Sequence, residues 1–150
     1  MAALAAPRVT PRFDALKNLN DFPDTNEIPF KLKAGVKIWA GGLVGLNAGF
    51  LVPMTTATGR IPVGMAMQTV DNTAGADGDR TCLVHQGIHK WVNSGGDLVV
   101  AADVGKIVFA VDDQTVSHTN GGATQSAAGF AVQVDSDGVW VLTHFGMQQS

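Results

Sequence analysis

The sequence predicts an all-β fold: a small β barrel or sandwich built from two pseudo-equivalent β segments, preceded by an extended N-terminal arm. Helical periodicity is essentially absent after residue 35, whereas period-two alternation recurs along that stretch. The 18 glycines, several in Asn-Gly and Asp-Gly pairs, supply the positive-φ positions that tight turns need. One β-rich segment also occurs twice: Gly64-Met65-Ala66-Met67-Gln68-Thr69-Val70-Asp71 aligns with Gly129-Phe130-Ala131-Val132-Gln133-Val134-Asp135. Upstream, Lys37-Ile38-Trp39-Ala40 parallels Lys106-Ile107-Val108-Phe109-Ala110. Downstream, a strand ending at His85 parallels one ending at His144. These anchors set an internal repeat of about 35–90 and 104–146. Two copies are too few for a solenoid, so the duplicated unit is expected to close into one β domain.

A chain of 150 residues suits one ordinary core. Its 45% hydrophobic content is globular, but only 15% is charged, against a usual share of roughly a quarter. Cys82 is the only cysteine, which excludes an intrachain disulfide, and its apolar surroundings predict a small core residue. No apolar run reaches the length of a membrane-spanning helix, and the opening residues do not read as a secretory leader. The net charge of −3 is unevenly placed: residues 1–37 carry +2 and the remainder −5. A mildly basic leader on an acidic body lacks the dense basic face that phosphate binding wants, so nucleic acid is not an expected partner.

The first 34 residues read as the arm and 35–150 as the β domain. Four of the six prolines (Pro7, Pro11, Pro23 and Pro29) fall in the arm, too closely spaced for a long helix or a central strand. The arm is also apolar, and Phe13, Leu16, Phe22, Ile28 and Phe30 are its expected partner-binding residues. From Gly35 the strands begin. Leu43–Leu46 and Phe50–Pro53 flank Asn47-Ala48-Gly49 as a hairpin. Residues 62–70 alternate between a bulky face and a Gly/Ala face, which predicts close approach of another backbone on the small side. Polar, turn-rich stretches at 71–79 and 112–127 read as loops.

The order of Ala34-Gly35-Val36-Lys37-Ile38, Gly42-Leu43-Val44, Val52-Pro53, Pro62-Val63-Gly64-Met65-Ala66 and Asp77-Gly78 continues through Val84–Gly87 and Asp97. It then runs through Ala101-Ala102-Asp103-Val104-Gly105-Lys106-Ile107-Val108-Phe109 and closes on Val139-Trp140-Val141-Leu142. This pattern, spanning roughly residues 34–146, resembles the capsid cement or head-decoration proteins of tailed bacteriophages. The family pattern usually has Gly-Asp before the second-copy strand, where this chain has Asp103-Val104-Gly105. The resemblance implies a non-enzymatic structural protein, often a homotrimer, on the outer surface of the virion. Its partners would be the phage major capsid protein and itself, and it would stabilise the expanded head after synthesis in the host cytoplasm.

No residue pattern argues for chemistry instead. His85 and His89 have a spacing that suits zinc on a helix, but their flanks read as strand and no acidic or additional thiol ligand set surrounds them. Asp77-Gly78-Asp79 and Asp135-Ser136-Asp137 lack the spaced series and terminal Glu of a calcium loop, and Asp-Gly turns explain them. Gly-x-Ser-x-Gly and phosphate-binding glycine motifs are absent. The expectation is therefore no cofactor, no metal and no catalysis. Trp39, Trp91 and Trp140 leave one alternative, a carbohydrate-binding β module of a phage fibre or surface protein. Scattered tryptophans more often serve cores and interfaces.

Overall fold

A computed structural model describes residues 2–13 and 26–144. The chain is all-β, as its alternation predicts, and the duplication takes the form of two consecutive five-stranded units. The first comprises β2 (Glu27–Lys31), β4 (Leu43–Asn47), β5 (Phe50–Pro53), β6 (Ile61–Ala66) and β8 (Thr81–His85), in the order β2-β8-β6-β4-β5. Its two edges meet through a parallel bridge between Leu32 and Leu51, where the Lys33 N–H donates to the Leu51 carbonyl at 3.0 Å. The second comprises β9 (Gly87–Asn93), β10 (Ile107–Ala110), β11 (Thr115–Ser117), β12 (Ala127–Asp135) and β13 (Gly138–Thr143). It closes fully, because β9 pairs with both β11 and β13. Closure removes exposed strand edges, which would otherwise template pairing with other chains. A ribbon of β3 (Lys37–Ile38) and β7 (Val70–Asp71) flanks the first barrel, and β1 (Arg12–Phe13) pairs with β9.

The two barrels correspond pair by pair. Val44 opposite Gly64 matches Val108 opposite Gly129, and each pair is followed by a register shift. Ala66 opposite Val84 matches Ala131 opposite Val141. Phe30 opposite Cys82 matches Trp91 opposite Val139. Even the parallel closure recurs, with Leu32–Leu51 matching Asn93–Val116. The core residues follow this correspondence. Val44, Leu46, Leu51, Val63, Ala66, Cys82 and Val84 fill the first barrel; Val108, Ala110, Val116, Ala128, Ala131, Val139 and Val141 fill the second. Leu43, Met54 and Met65 leave the first core and join the second, so β6 is buried on both faces and the second core draws on residues from both barrels. Each fully buried aliphatic side chain contributes about 1.5–3 kcal/mol relative to exposure.

Several sequence expectations are corrected by this register. The repeats run from β2 to β8 and from β9 to β13, rather than over 35–90 and 104–146. Ile107 answers to Leu43, not Ile38, which lies in the flanking ribbon. His85 answers to Leu142, not His144. The arm as read through residue 34 includes a barrel strand: Glu27–Lys31 pairs along the whole of β8, and Leu32 is fully buried. Pro29 is tolerated there because β2 is hydrogen-bonded along one side only, the closing bridge lying beyond the strand at Leu32.

Gly64 and Gly129 show why the repeat is legible. A Cβ at Gly64 would lie 2.3 Å from the His85 carbonyl oxygen, and one at Gly129 would lie 2.2 Å from that of Leu142. The backbone approaching the small face is thus the next strand of the same barrel. Gly64→Ala and Gly129→Ala are each expected to cost about 1–3 kcal/mol, the usual penalty for overpacking, because backbone must shift rather than a flexible side chain. Urea unfolding midpoints check this; a loss at one position only would contradict the equivalence of the barrels.

Candidate interaction surfaces

The N-terminal residues form a strap along this chain's own barrels. The Arg8 N–H donates to the Ala40 carbonyl at 2.9 Å, the Thr10 hydroxyl to the Gly41 carbonyl, and the Lys90 N–H to the Pro11 carbonyl at 2.8 Å. The Leu4 N–H donates to Asp113 Oδ1 at 2.8 Å, and Gln114 Nε2 to the Ala2 carbonyl at 2.7 Å. The half-buried Arg8 guanidinium lies 5.4 Å from the centre of the Trp91 ring. Asp112 and Asp113, both buried, face it electrostatically.

The Asp113 carboxyl is held above the usual carboxylate range, chiefly by burial. Its charge therefore costs stability above that raised value, and the cost fades as pH falls through it toward the unfolded value near 4. Asp71, Asp97, Asp103 and Asp135 act in the opposite sense. The Thr73 hydroxyl holds Asp71 low, the Thr119 hydroxyl Asp97, the Val100 N–H Asp103 and the Trp140 indole Asp135. Their contribution is present above pH ~4 and lost as pH falls through the lowered values. Asp113→Asn keeps an acceptor for Leu4 without the buried charge. The variant should match or exceed the parent at pH 7, and should lose the parent's gain between neutral pH and the acid limb. Urea midpoints over a pH series check this.

The residues singled out from sequence fall in different places. Phe13 lies in β1 opposite Ile88. Ile28 and Phe30 belong to β2, and Phe30 packs on the first core, so its hydrophobicity serves the barrel. Leu16 and Phe22 lie outside the described residues. The His85 and His89 rings do meet, because Gly87 lets β8 lead directly into β9. Nδ1 of His85 is 3.0 Å from Nε2 of His89, in a buried edge-on contact. Among the described residues no group of three or more His, Cys, Asp or Glu converges on a metal position. Asp71, Asn72, Thr73, Asp79 and Arg80 line an open depression of about 660 Å³. Its carboxylates brace the loop, Asp71 accepting from Thr73 and Asp79 from Ala76.

The tryptophans do not share a platform. Trp91 is 1% exposed and offers no face to a sugar ring. Lys37 lies over Trp39 at 3.9 Å, and Lys90 lies near the Trp140 ring whose indole N–H donates to Asp135 at 2.8 Å.

Sequence inspection missed the exposed aliphatic side chains of the second barrel. Leu98, Val100 and Val104 surround the short 3-10 turn η1 (Ala101–Asp103), and Val132 lies on the outer face of β12 beside it. The Gly105 N–H bonds the Ala131 carbonyl at 2.8 Å and so brings the two segments together. The signal was the aliphatic run Leu98-Val99-Val100, of which only Val99 is buried. Asp103 anchors the turn by accepting from the Val100 N–H at 2.9 Å and contacting His118 Nδ1 at 3.0 Å. Comparison with family models, curated proteins and solved structures returns no match.

Proposed function

We propose that the chain is a structural head-decoration protein of a tailed bacteriophage, bound to the outer surface of the expanded capsid and self-associating there as a homotrimer. The observation that carries this reading is the ordered glycine-and-alternation pattern across residues 34–146. Two features support it. Charge is sparse, and an aliphatic patch stands in solvent at the second barrel, as on surfaces meant to be covered. The mechanism is mass action: a protein that binds only the expanded lattice stabilises it by about 2.7 kcal/mol per site at a hundredfold excess over Kd. Repetition over many sites multiplies modest contacts.

Cosedimentation with empty capsids of the phage that encodes the chain tests this, using unexpanded and expanded shells. Binding to expanded shells, with a raised temperature of shell disruption, is expected. Binding to neither shell would overturn the proposal, and selective retention on a glycan array would favour a carbohydrate-binding module.

A further inference from the structure

The second barrel carries a turn built from consecutive left-handed residues. Between β11 and β12 the backbone passes through Gly121, Gly122 and Ala123 at φ +64°, +73° and +68°, the last a conformation that a residue with a Cβ rarely adopts. The turn closes on Asn120, whose main-chain carbonyl accepts from the N–H groups of Thr124 at 2.9 Å and Gln125 at 3.0 Å. The chain leaving the turn is anchored. Gln125 Nε2 donates to the Ala110 carbonyl and to Ser117 Oγ, and the Ser126 hydroxyl donates to the Ala57 carbonyl in the β5–β6 loop. The tip from Gly121 to Thr124 is exposed to water.

Asn120 is the one asparagine of the chain that precedes a glycine. No Cβ on Gly121 shields its nitrogen or resists a five-membered ring closing through it. The Asn120 side chain is folded back over the turn, because its Oδ1 accepts from the Ala123 N–H at 3.0 Å. That donor faces the oxygen on which negative charge develops when a nucleophile adds to Cγ. Asn72 and Asn93 differ: main-chain carbonyls hold Nδ2 of each, those of Lys33 and Ala76 for Asn72 and that of Val99 for Asn93. Their successors are Thr73 and Ser94. The attacking nitrogen is also held, since the Gly121 N–H points to Thr119 Oγ1 at 3.4 Å. The Thr119 hydroxyl hydrogen is donated to Asp97 Oδ2 at 2.6 Å, the bond that chiefly holds the Asp97 carboxyl below its usual range. A lone pair of Oγ1 is thereby left for the Gly121 amide.

We propose that Asn120 is a self-modification site, where the Gly121 nitrogen attacks the side-chain amide and converts it to an acid. The bond from the Gly121 nitrogen to Cγ forms as that nitrogen gives up its proton to solvent base. The Cγ–Nδ2 bond then breaks, and Nδ2 takes a proton from solvent and leaves as ammonia. Water opens the resulting five-membered imide at either carbonyl. One opening gives aspartate, and the other gives its isomer with the main chain routed through Cβ and Cγ. Nothing is oxidised or reduced, and water is the only co-reactant. The Ala123 N–H stabilises the charge on Oδ1, and Thr119 Oγ1 accepts the amide hydrogen that grows more acidic as the nitrogen adds. The product carries one further negative charge, taking the formal net charge from −3 to −4. The change is one-way and self-timed, and it is independent of the decoration reading.

The test incubates the full chain at neutral pH and follows ammonia release and peptide mass, with circular dichroism verifying that each variant folds. The peptide holding Asn120 should show the mass change of amide to acid, together with the isomerised aspartate. Conversion should run on the order of tenfold faster in the folded chain than in the same chain unfolded by urea, a fraction of what a preorganised oxyanion donor supplies in a closed site. Asn120→Gln should release no ammonia from that peptide, because the longer side chain does not close a five-membered ring. Thr119→Val should slow the folded chain toward the urea rate. Thr119→Ser keeps the hydroxyl and should restore the parent rate, which a merely structural role for Thr119 would not require. A folded parent that converts no faster than the unfolded chain, or a Thr119→Val variant that keeps the parent rate, would overturn the proposal.

Discussion

Deleting residues 1–30 should unfold the first barrel. The deletion removes four of the five residues of β2, which pair from Glu27 opposite His85 to Phe30 opposite Cys82. It strips Phe30 from the core and leaves β8 with an unpaired edge. It also removes the strap, exposing Trp91, Asp112 and Asp113 beneath it. Since marginal domains hold only about 5–15 kcal/mol, losing a barrel strand and its core contacts exceeds what the fold can absorb. Far-UV circular dichroism and thermal unfolding should show lost β signal and no cooperative transition at the parent temperature. Reading 1–34 as a separable arm predicts the opposite, a folded β domain with weaker attachment. A cooperative, native-like melt of the truncated chain would restore that view.

Trp91→Ala should cost about 3–5 kcal/mol, the range for removing a buried large aromatic. Trp91 is the largest fully buried side chain, on the strand that closes the second barrel through β11 and β13 and also receives β1. Its ring supports Arg8, so truncation loosens the strap as well as the core. Its indole N–H is buried without a hydrogen-bond partner among the described residues. Trp91→Phe removes that unsatisfied donor and installs the residue found at the equivalent position of the first barrel, Phe30, so it should cost much less than the alanine change. Urea unfolding of both variants checks the ordering. Equal losses, or a loss below about 1 kcal/mol for alanine, would place Trp91 outside the structural centre.

The duplication was legible where chemistry leaves no choice. Gly64 and Gly129 must both be glycine because a neighbouring backbone fills the Cβ position, so their alignment located β6 and β12 correctly. The hairpin at 43–53 was equally readable. Ala48 and Gly49, at φ 52° and 87°, make the two-residue turn between Asn47 and Phe50. The flanking anchors slipped because apolar strands resemble one another: Lys37-Ile38 mimics Lys106-Ile107, and His144 lies two residues beyond the true counterpart of His85. β2 was hidden by Pro29 and the prolines that precede it in sequence, which read as breakers until one-sided pairing makes Pro29 harmless. The surfaces were least legible. The strap is defined by Leu4 meeting Asp113, 109 residues away, and the open turn after η1 by Gly105 meeting Ala131 of β12. Which member of Leu98-Val99-Val100 faces solvent is settled by packing, not by composition.

A density map of mature heads from the phage that encodes the chain tests the central claim most directly. The expected result is outer-surface protrusions made of rings of three two-barrel subunits at threefold and quasi-threefold positions. Heads that lack the protein altogether, or that carry it as isolated single subunits, would contradict it.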